Sequence, residues 1–132
     1  MIHEHEGTVF FSEVDQGGVV YFANYLKILD NARTTFFNEI GFGFTVQARD
    51  RKMFAVVSLN IEYKRSLLLD ESYRVRTRIG KVGKTSIELN QEIIRNDEVV
   101  TRANMVIAYL DFNQGQKPIR IPESLKEKLL EP

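Results

Sequence analysis

The rhythm of apolar and polar positions changes along this chain, and the changes mark out its elements. From about Val20 to Ile40, apolar residues recur at three- and four-residue intervals: Tyr25, Ile28, Leu29, Ala32, Phe36 and Ile40. That spacing lines one face of a long α-helix, with Lys27, Asp30, Arg33, Thr34 and Asn38 largely on the other. Gly41 suits the left-handed residue that follows a helix end. Thr45 to Asp50 reads as one further helical turn, and beyond it the period becomes two. Ala55, Val57, Leu59, Ile61 and Tyr63 alternate with more polar neighbours; Tyr73, Val75, Thr77 and Ile79 alternate with Ser72, Arg74, Arg76 and Arg78. Gly80 and Gly83 bracket a turn, after which Ile87, Leu89, Gln91 and Ile93 continue the alternation. Asn96-Asp97 is a hairpin signal, Val99 to Leu110 another long strand, and Ser124 to Leu130 a terminal helix. Ahead of the long helix, Thr8 to Phe11 predicts an early strand.

One early strand, one long helix and four antiparallel strands make an α+β plan in which the helix is the available cover for the apolar face of the sheet. Periodicity alone leaves open a hotdog, a cystatin-like or a ketosteroid-isomerase-like arrangement. No repeat, linker or low-complexity tract divides residues 1–132, so one domain is expected. At 132 residues with 43% hydrophobic positions, the chain can bury a core without a staple. Eighteen basic and eighteen acidic residues balance to zero, which gives no reason to expect nucleic acid or an anionic membrane as partner. The absence of cysteine removes disulfides, thiolate metal sites and thiol nucleophiles, and fits the cytoplasm. The first residues lack the apolar core of a signal peptide, and no apolar run approaches the roughly twenty residues of a membrane span.

The candidate chemistry lies in Glu13 to Tyr25, E-V-D-Q-G-G-V-V-Y-F-A-N-Y. Asp15 precedes a Gly17-Gly18 turn that leads toward the long helix, whose first amides lack intrahelical partners. A carboxylate near such donors pairs a nucleophile or base with groups able to hold an oxyanion, as acyl transfer requires; the plain alternative is a capping Asp. Glu13 reads as a solvated surface carboxylate. Arg74, Arg76 and Arg78 find Glu88 and Glu92 across the following hairpin, so charge pairing accounts for them. His3 and His5 read as part of a mobile terminus, and no metal site or cofactor fingerprint is present.

The pattern D-x-x-G-x-V-Y-x-x-N-Y ahead of a helix resembles the signature of hotdog-fold acyl-CoA thioesterases of the 4-hydroxybenzoyl-CoA thioesterase type. It is most similar to the small bacterial members associated with the Tol–Pal envelope system. A-V-V-S-L-N-I-E-Y-K-R-S-L-L-L-D-E and T-R-A-N-M-V-I-A-Y-L-D resemble later strands of the same family, so the likeness runs through nearly the whole chain. Val14 stands where the family usually has Thr or Cys, and Phe22 where many members have His. The resemblance implies a hotdog fold, one long central helix wrapped by a curved antiparallel sheet, and hydrolysis of acyl-CoA to free acid and coenzyme A. It implies Asp15 as nucleophile or general base, the backbone N–H of Phe22 as oxyanion donor, and Gly17 and Gly18 as the close backbone turn. Tyr21 would border the acyl pocket, with a packed core tyrosine as the plain alternative; Asn24 is a motif residue on the substrate side whose plain reading is an architectural hydrogen bond. Lys64 and Arg65 would meet the CoA phosphates, and a homodimer or homotetramer would complete the site.

Two other functions fit the same fold: a non-catalytic acyl-CoA-binding or scaffold protein, and a hotdog hydratase or dehydratase. The second normally needs a catalytic His, and His3 and His5 lie outside the motif. Val99 to Leu110 is apolar on both alternating faces, as a strand covered by a helix on one side and a partner on the other would be.

Overall fold

A computed structural model describes residues 1–132. The long strands pair antiparallel in the order β1-β3-β4-β5-β2, comprising β1 (Ile2–Thr8), β2 (Lys52–Tyr63), β3 (Ser72–Val82), β4 (Ser86–Arg95) and β5 (Glu98–Asp111). A short β6 (Lys117–Pro118) pairs with the end of β5. The sheet curls around α1 (Asn24–Glu39), which is the central helix the sequence calls for. It is one of three helices; α2 (Phe44–Asp50) and α3 (Glu123–Leu129) correspond to the helical turn and the terminal helix expected from the sequence. Tyr25, Ile28, Leu29, Ala32 and Phe36 of the anticipated stripe are all buried. The first three pack with Leu67, Val75 and Ile93, while Phe36 joins Ile87, Ile107 and, from α3, Leu125 and Leu129.

Several boundaries differ from the sequence reading, each for a local reason. The first strand ends at Thr8 instead of beginning there, and Phe11–Glu13 forms a 3-10 turn. Glu13 holds that turn by accepting the N–H of Phe10 at 2.8 Å; it is 3% exposed, not a solvated carboxylate. Helix α1 starts four residues later than Val20 because Val19 and Val20 are extended, bridged to Leu68 and Val14. Its far end follows the sequence, with Gly41 at φ +79°. Asn96 and Asp97, both at positive φ, make the expected tight β4–β5 turn. His3 and His5 sit in β1, opposite Thr77 and Val75; they are not in a loose terminus. The His3 ring stacks on Phe36, with Nε2 2.8 Å from the Glu39 carboxylate.

The largest correction concerns β2. A bulge at Val57 shifts the register between Val56 and Ser58. Before it, Phe54 and Val56 oppose Tyr109 and Ile107; after it, Leu59, Ile61 and Tyr63 oppose Met105, Ala103 and Thr101. Directly opposed residues share a face, so Val56 joins the helix-facing set and Val57 leaves it.

On the outer face, Glu62, Arg102, Glu92, Arg76 and Glu4 lie in register across all five long strands, alternating in sign. Arg102 bonds Glu92 at 3.2 Å and Arg76 bonds Glu4 at 3.1 Å. The expected pairing of the three β3 arginines with β4 is thus only partly met. Arg74 reaches Asp97 at 3.3 Å, Arg78 opposes Asn90, and Glu88 accepts from Asn104.

Candidate active site

Residues 13–21 fold back on themselves as a small hairpin. The Asp15 N–H donates to the Val19 carbonyl at 2.9 Å, the Gly18 N–H to the Asp15 carbonyl at 3.1 Å, and the Tyr21 N–H to the Glu13 carbonyl at 3.0 Å. Asp15 stands at the tip with its side chain exposed, and its Oδ1 accepts the Gly17 N–H at 2.8 Å. That is an Asx turn, which orients the carboxylate and leaves Oδ2 with no partner in the chain. Gly18 adopts φ +77°, a conformation that favours glycine, and a Cβ on Gly17 would lie 3.3 Å from Asp15 Oδ1.

The hairpin is anchored to the rest of the fold by backbone bonds. The Val20 N–H donates to the Leu67 carbonyl at 2.8 Å, and the Leu69 N–H to the Gly18 carbonyl at 3.0 Å. The Leu67 N–H donates in turn to the Tyr25 hydroxyl at 3.0 Å, so a helix residue pins the segment that carries the hairpin. Burial pushes the Tyr25 phenol above its ordinary pKa, opposed in part by that bond. Asn24, a motif residue placed on the substrate side by the resemblance, donates its side-chain amide to the Glu13 carbonyl at 2.8 Å. Its contact here is architectural.

The helix start frees a different set of amides from those a simple N-terminus would. Asn24, Tyr25 and Leu26 donate to the carbonyls of Tyr21, Phe22 and Ala23, three residues back. The unpartnered donors are therefore the N–H groups of Phe22 and Ala23, just ahead of α1. The Phe22 carbonyl is held from the other side of the fold by the Tyr63 hydroxyl at 3.1 Å. The ring of Tyr63 also meets those of Phe22 and Tyr25 edge-on, at 6.5 and 5.1 Å between centroids. The strand alternation marks Tyr63 only as an apolar position; nothing in a periodicity of two announces a bond across 41 residues. Tyr21 is half exposed and lies against the Phe22 ring, so it is not a packed core residue.

Lys64 and Arg65 follow Tyr63 at the same end of β2 and are exposed. Lys64 lies 3.7 Å from Glu62, while Arg65 has no carboxylate partner and donates to the Lys64 carbonyl. A groove leads away from this end. Helix α1 packs against β1 and β3 and α2 against the start of β2, which leaves the helix-facing side of edge strand β2 open around Val56 and Leu59. Val56, Leu59 and Tyr63 are 44%, 36% and 45% exposed although they face inward. Between α1 and β2 lie a cleft of about 400 Å³ reached by Leu26, Val56, Leu59 and Met105, and another of about 470 Å³ lined by Phe37, Phe44 and Phe54.

The chain thus presents an exposed carboxylate at Asp15, unpartnered backbone donors at Phe22 and Ala23, and clefts along α1 and β2 of mixed apolar and polar lining. The family model described as "Thioesterase-like superfamily" matches residues 9–129. The acyl-CoA thioesterase YbgC of Haemophilus influenzae is 29% identical over 119 residues, covering 89% of this chain and 87% of that protein. Among solved structures, a probable thioesterase from Bartonella henselae superposes with a TM-score of 0.86 at 26% identity, over 92% of this chain and 100% of that one. A 1,4-dihydroxy-2-naphthoyl-CoA thioesterase from Synechocystis superposes with a TM-score of 0.91 at 15% identity, over 99% and 97% of the two chains.

Proposed function

The chain belongs to the thioesterase-like superfamily, and from that premise we propose that it hydrolyses acyl-CoA thioesters to a free acid and coenzyme A. The observation that carries the reading is the exposed Asp15 carboxylate, oriented by its own turn, in the hairpin that leads to the unpartnered amides of Phe22 and Ala23. In the reaction, the thioester carbonyl accepts a hydrogen bond from the Phe22 N–H. Asp15 either attacks its carbon or takes a proton from the water that does. The oxyanion collects its charge against the same amide, a contact whose loss typically costs about 2.7–4 kcal/mol of barrier stabilisation. Collapse expels the CoA thiolate. If Asp15 attacked directly, water then cleaves the mixed anhydride.

Lys64 and Arg65, at the end of β2 next to Tyr63, suit the CoA phosphates as exposed cations. A homodimer or homotetramer suits the open β2 edge, since a second copy would roof the groove. A cytoplasmic setting fits a cysteine-free chain with no helix long and apolar enough to cross a membrane.

Asp15→Asn tests the assignment. The variant should keep its fold and lower thioester turnover by at least roughly 10²-fold, the scale of general-base catalysis. Near-wild-type turnover by a folded variant would reject Asp15, and CoA-ester binding without hydrolysis by the wild type would assign a binder. In a single turnover in ¹⁸O-water, label enters the Asp15 carboxylate only when Asp15 has attacked and water opens the anhydride at the aspartyl carbon, so label there establishes direct attack.

A further inference from the structure

The two clefts along the α1–β2 groove share two lining residues, Asp30 and Arg33. On α1, Leu26, Asp30, Arg33 and Phe37 fall at helical intervals on one stripe, with the charged pair between apolar neighbours. Arg33 holds Asp30 through Nε at 3.0 Å and Nη2 at 2.7 Å, and its side chain is only 20% exposed. Across the groove, the inward residues of β2 from Phe54 to Tyr63 carry no charge. Neither member of the pair has another ionic partner.

We propose that the Asp30–Arg33 ion pair is the specificity-determining stop of the acyl groove. On this account an acyl chain fills the nearer cleft beside Leu26 and Leu59 and ends before the pair. The inference rests on the thioesterase reading above and adds the substrate class: acyl groups of short to medium length. The physical reason is desolvation. An alkyl chain laid across the pair would strip water from two charges without offering either a hydrogen bond. From Asn24 to Asp30 the helix rises about 9 Å, which an octanoyl group spans and a palmitoyl group greatly exceeds. Beyond the pair, the second cleft is walled by Phe37, Phe44, Phe54 and Ile107, with Thr34 and Gln47 among them.

The test is the ratio of kcat/KM for palmitoyl-CoA to that for octanoyl-CoA, measured below micelle-forming concentrations. In the wild type the ratio should be about tenfold or more below unity, the size of discrimination a hydrophobic site achieves. In Asp30→Asn with Arg33→Met, which removes both charges and keeps most of the volume, the ratio should rise roughly tenfold as the second cleft becomes continuous with the first. Equal use of both esters by the wild type overturns the proposal without any variant. So does an unchanged ratio in a folded, active double variant. Failure of the underlying thioesterase reading looks different: no thioester of any length is turned over.

Discussion

At the scale of single residues, the candidate site divides into groups placed for chemistry and groups that hold them there. Asp15, Gly17, Gly18 and Phe22 stand out in the sequence because a short motif and its resemblance carry them, and their roles in turnover are what the Asp15→Asn experiment tests. Glu13, Tyr25 and Tyr63 do not, because their roles depend on partners distant in sequence or on burial that no local pattern reports. Tyr25 illustrates the second group: its stripe position predicts a buried ring, but not that its hydroxyl receives the Leu67 N–H. Tyr25→Phe keeps the ring and strands that amide, which should lower unfolding stability by about 1–3 kcal/mol in a chemical denaturation experiment. Turnover per folded molecule should fall less than in Asp15→Asn, since the phenol touches the scaffold of the hairpin and not the reacting atoms. A Tyr25→Phe protein as stable as the wild type would remove this anchor from the account.

At the scale of elements, helix existence and strand alternation were readable, whereas register and boundaries were set by tertiary pairing. The α1 stripe survives intact, yet its start moves to Asn24 because Val19 and Val20 find strand partners in Leu68 and Val14. The Val57 bulge is invisible to an alternation rule that counts in twos, and it decides which residues line the groove. The corner after β5 shows a similar tertiary dependence. Asp111 accepts from the Asn113 N–H at 2.9 Å and from Gln114 Nε2 at 2.6 Å, while the Phe112 N–H donates to the Arg51 carbonyl at 2.8 Å. This fastens the turn after β5 to the end of α2, the element that brings Phe44 to the far cleft. The Gln114 bond, followed by that from Asn113, holds the Asp111 carboxyl below the ordinary carboxylate pKa. A depressed folded pKa adds stability above the unfolded value and loses it as pH falls through the folded one. Asp111→Asn should therefore melt below the wild type at neutral pH, with the gap narrowing as the medium is acidified through the carboxylate range. A gap independent of pH in thermal melts would mean that the charge is not what the turn uses.

At the scale of the whole molecule, the asymmetry of the sheet's two edges bears on assembly. The β1 edge is short, and its outer face ends in Glu4 of the charge ladder. The β2 edge is long and presents Val56, Val57 and Leu59 to solvent, with the bulge in its middle. An extended apolar edge of this kind is a template for pairing unless something covers it. The sequence hinted at a partner through the two-faced pattern of Val99 to Leu110, but within the chain Ala108 and Leu110 of the second face are already buried. The motive for assembly therefore moves from β5 to β2. Sedimentation over a range of concentrations should find at least a dimer at micromolar protein. Val57→Lys, a charge at an exposed bulge position outside the core, should shift the equilibrium toward folded monomers. If a second copy roofs the groove, activity per chain should fall in parallel with the dimer fraction. A wild-type monomer with full activity would show that one chain's groove suffices, and would remove the shared roof while leaving Asp15 and its amides untouched.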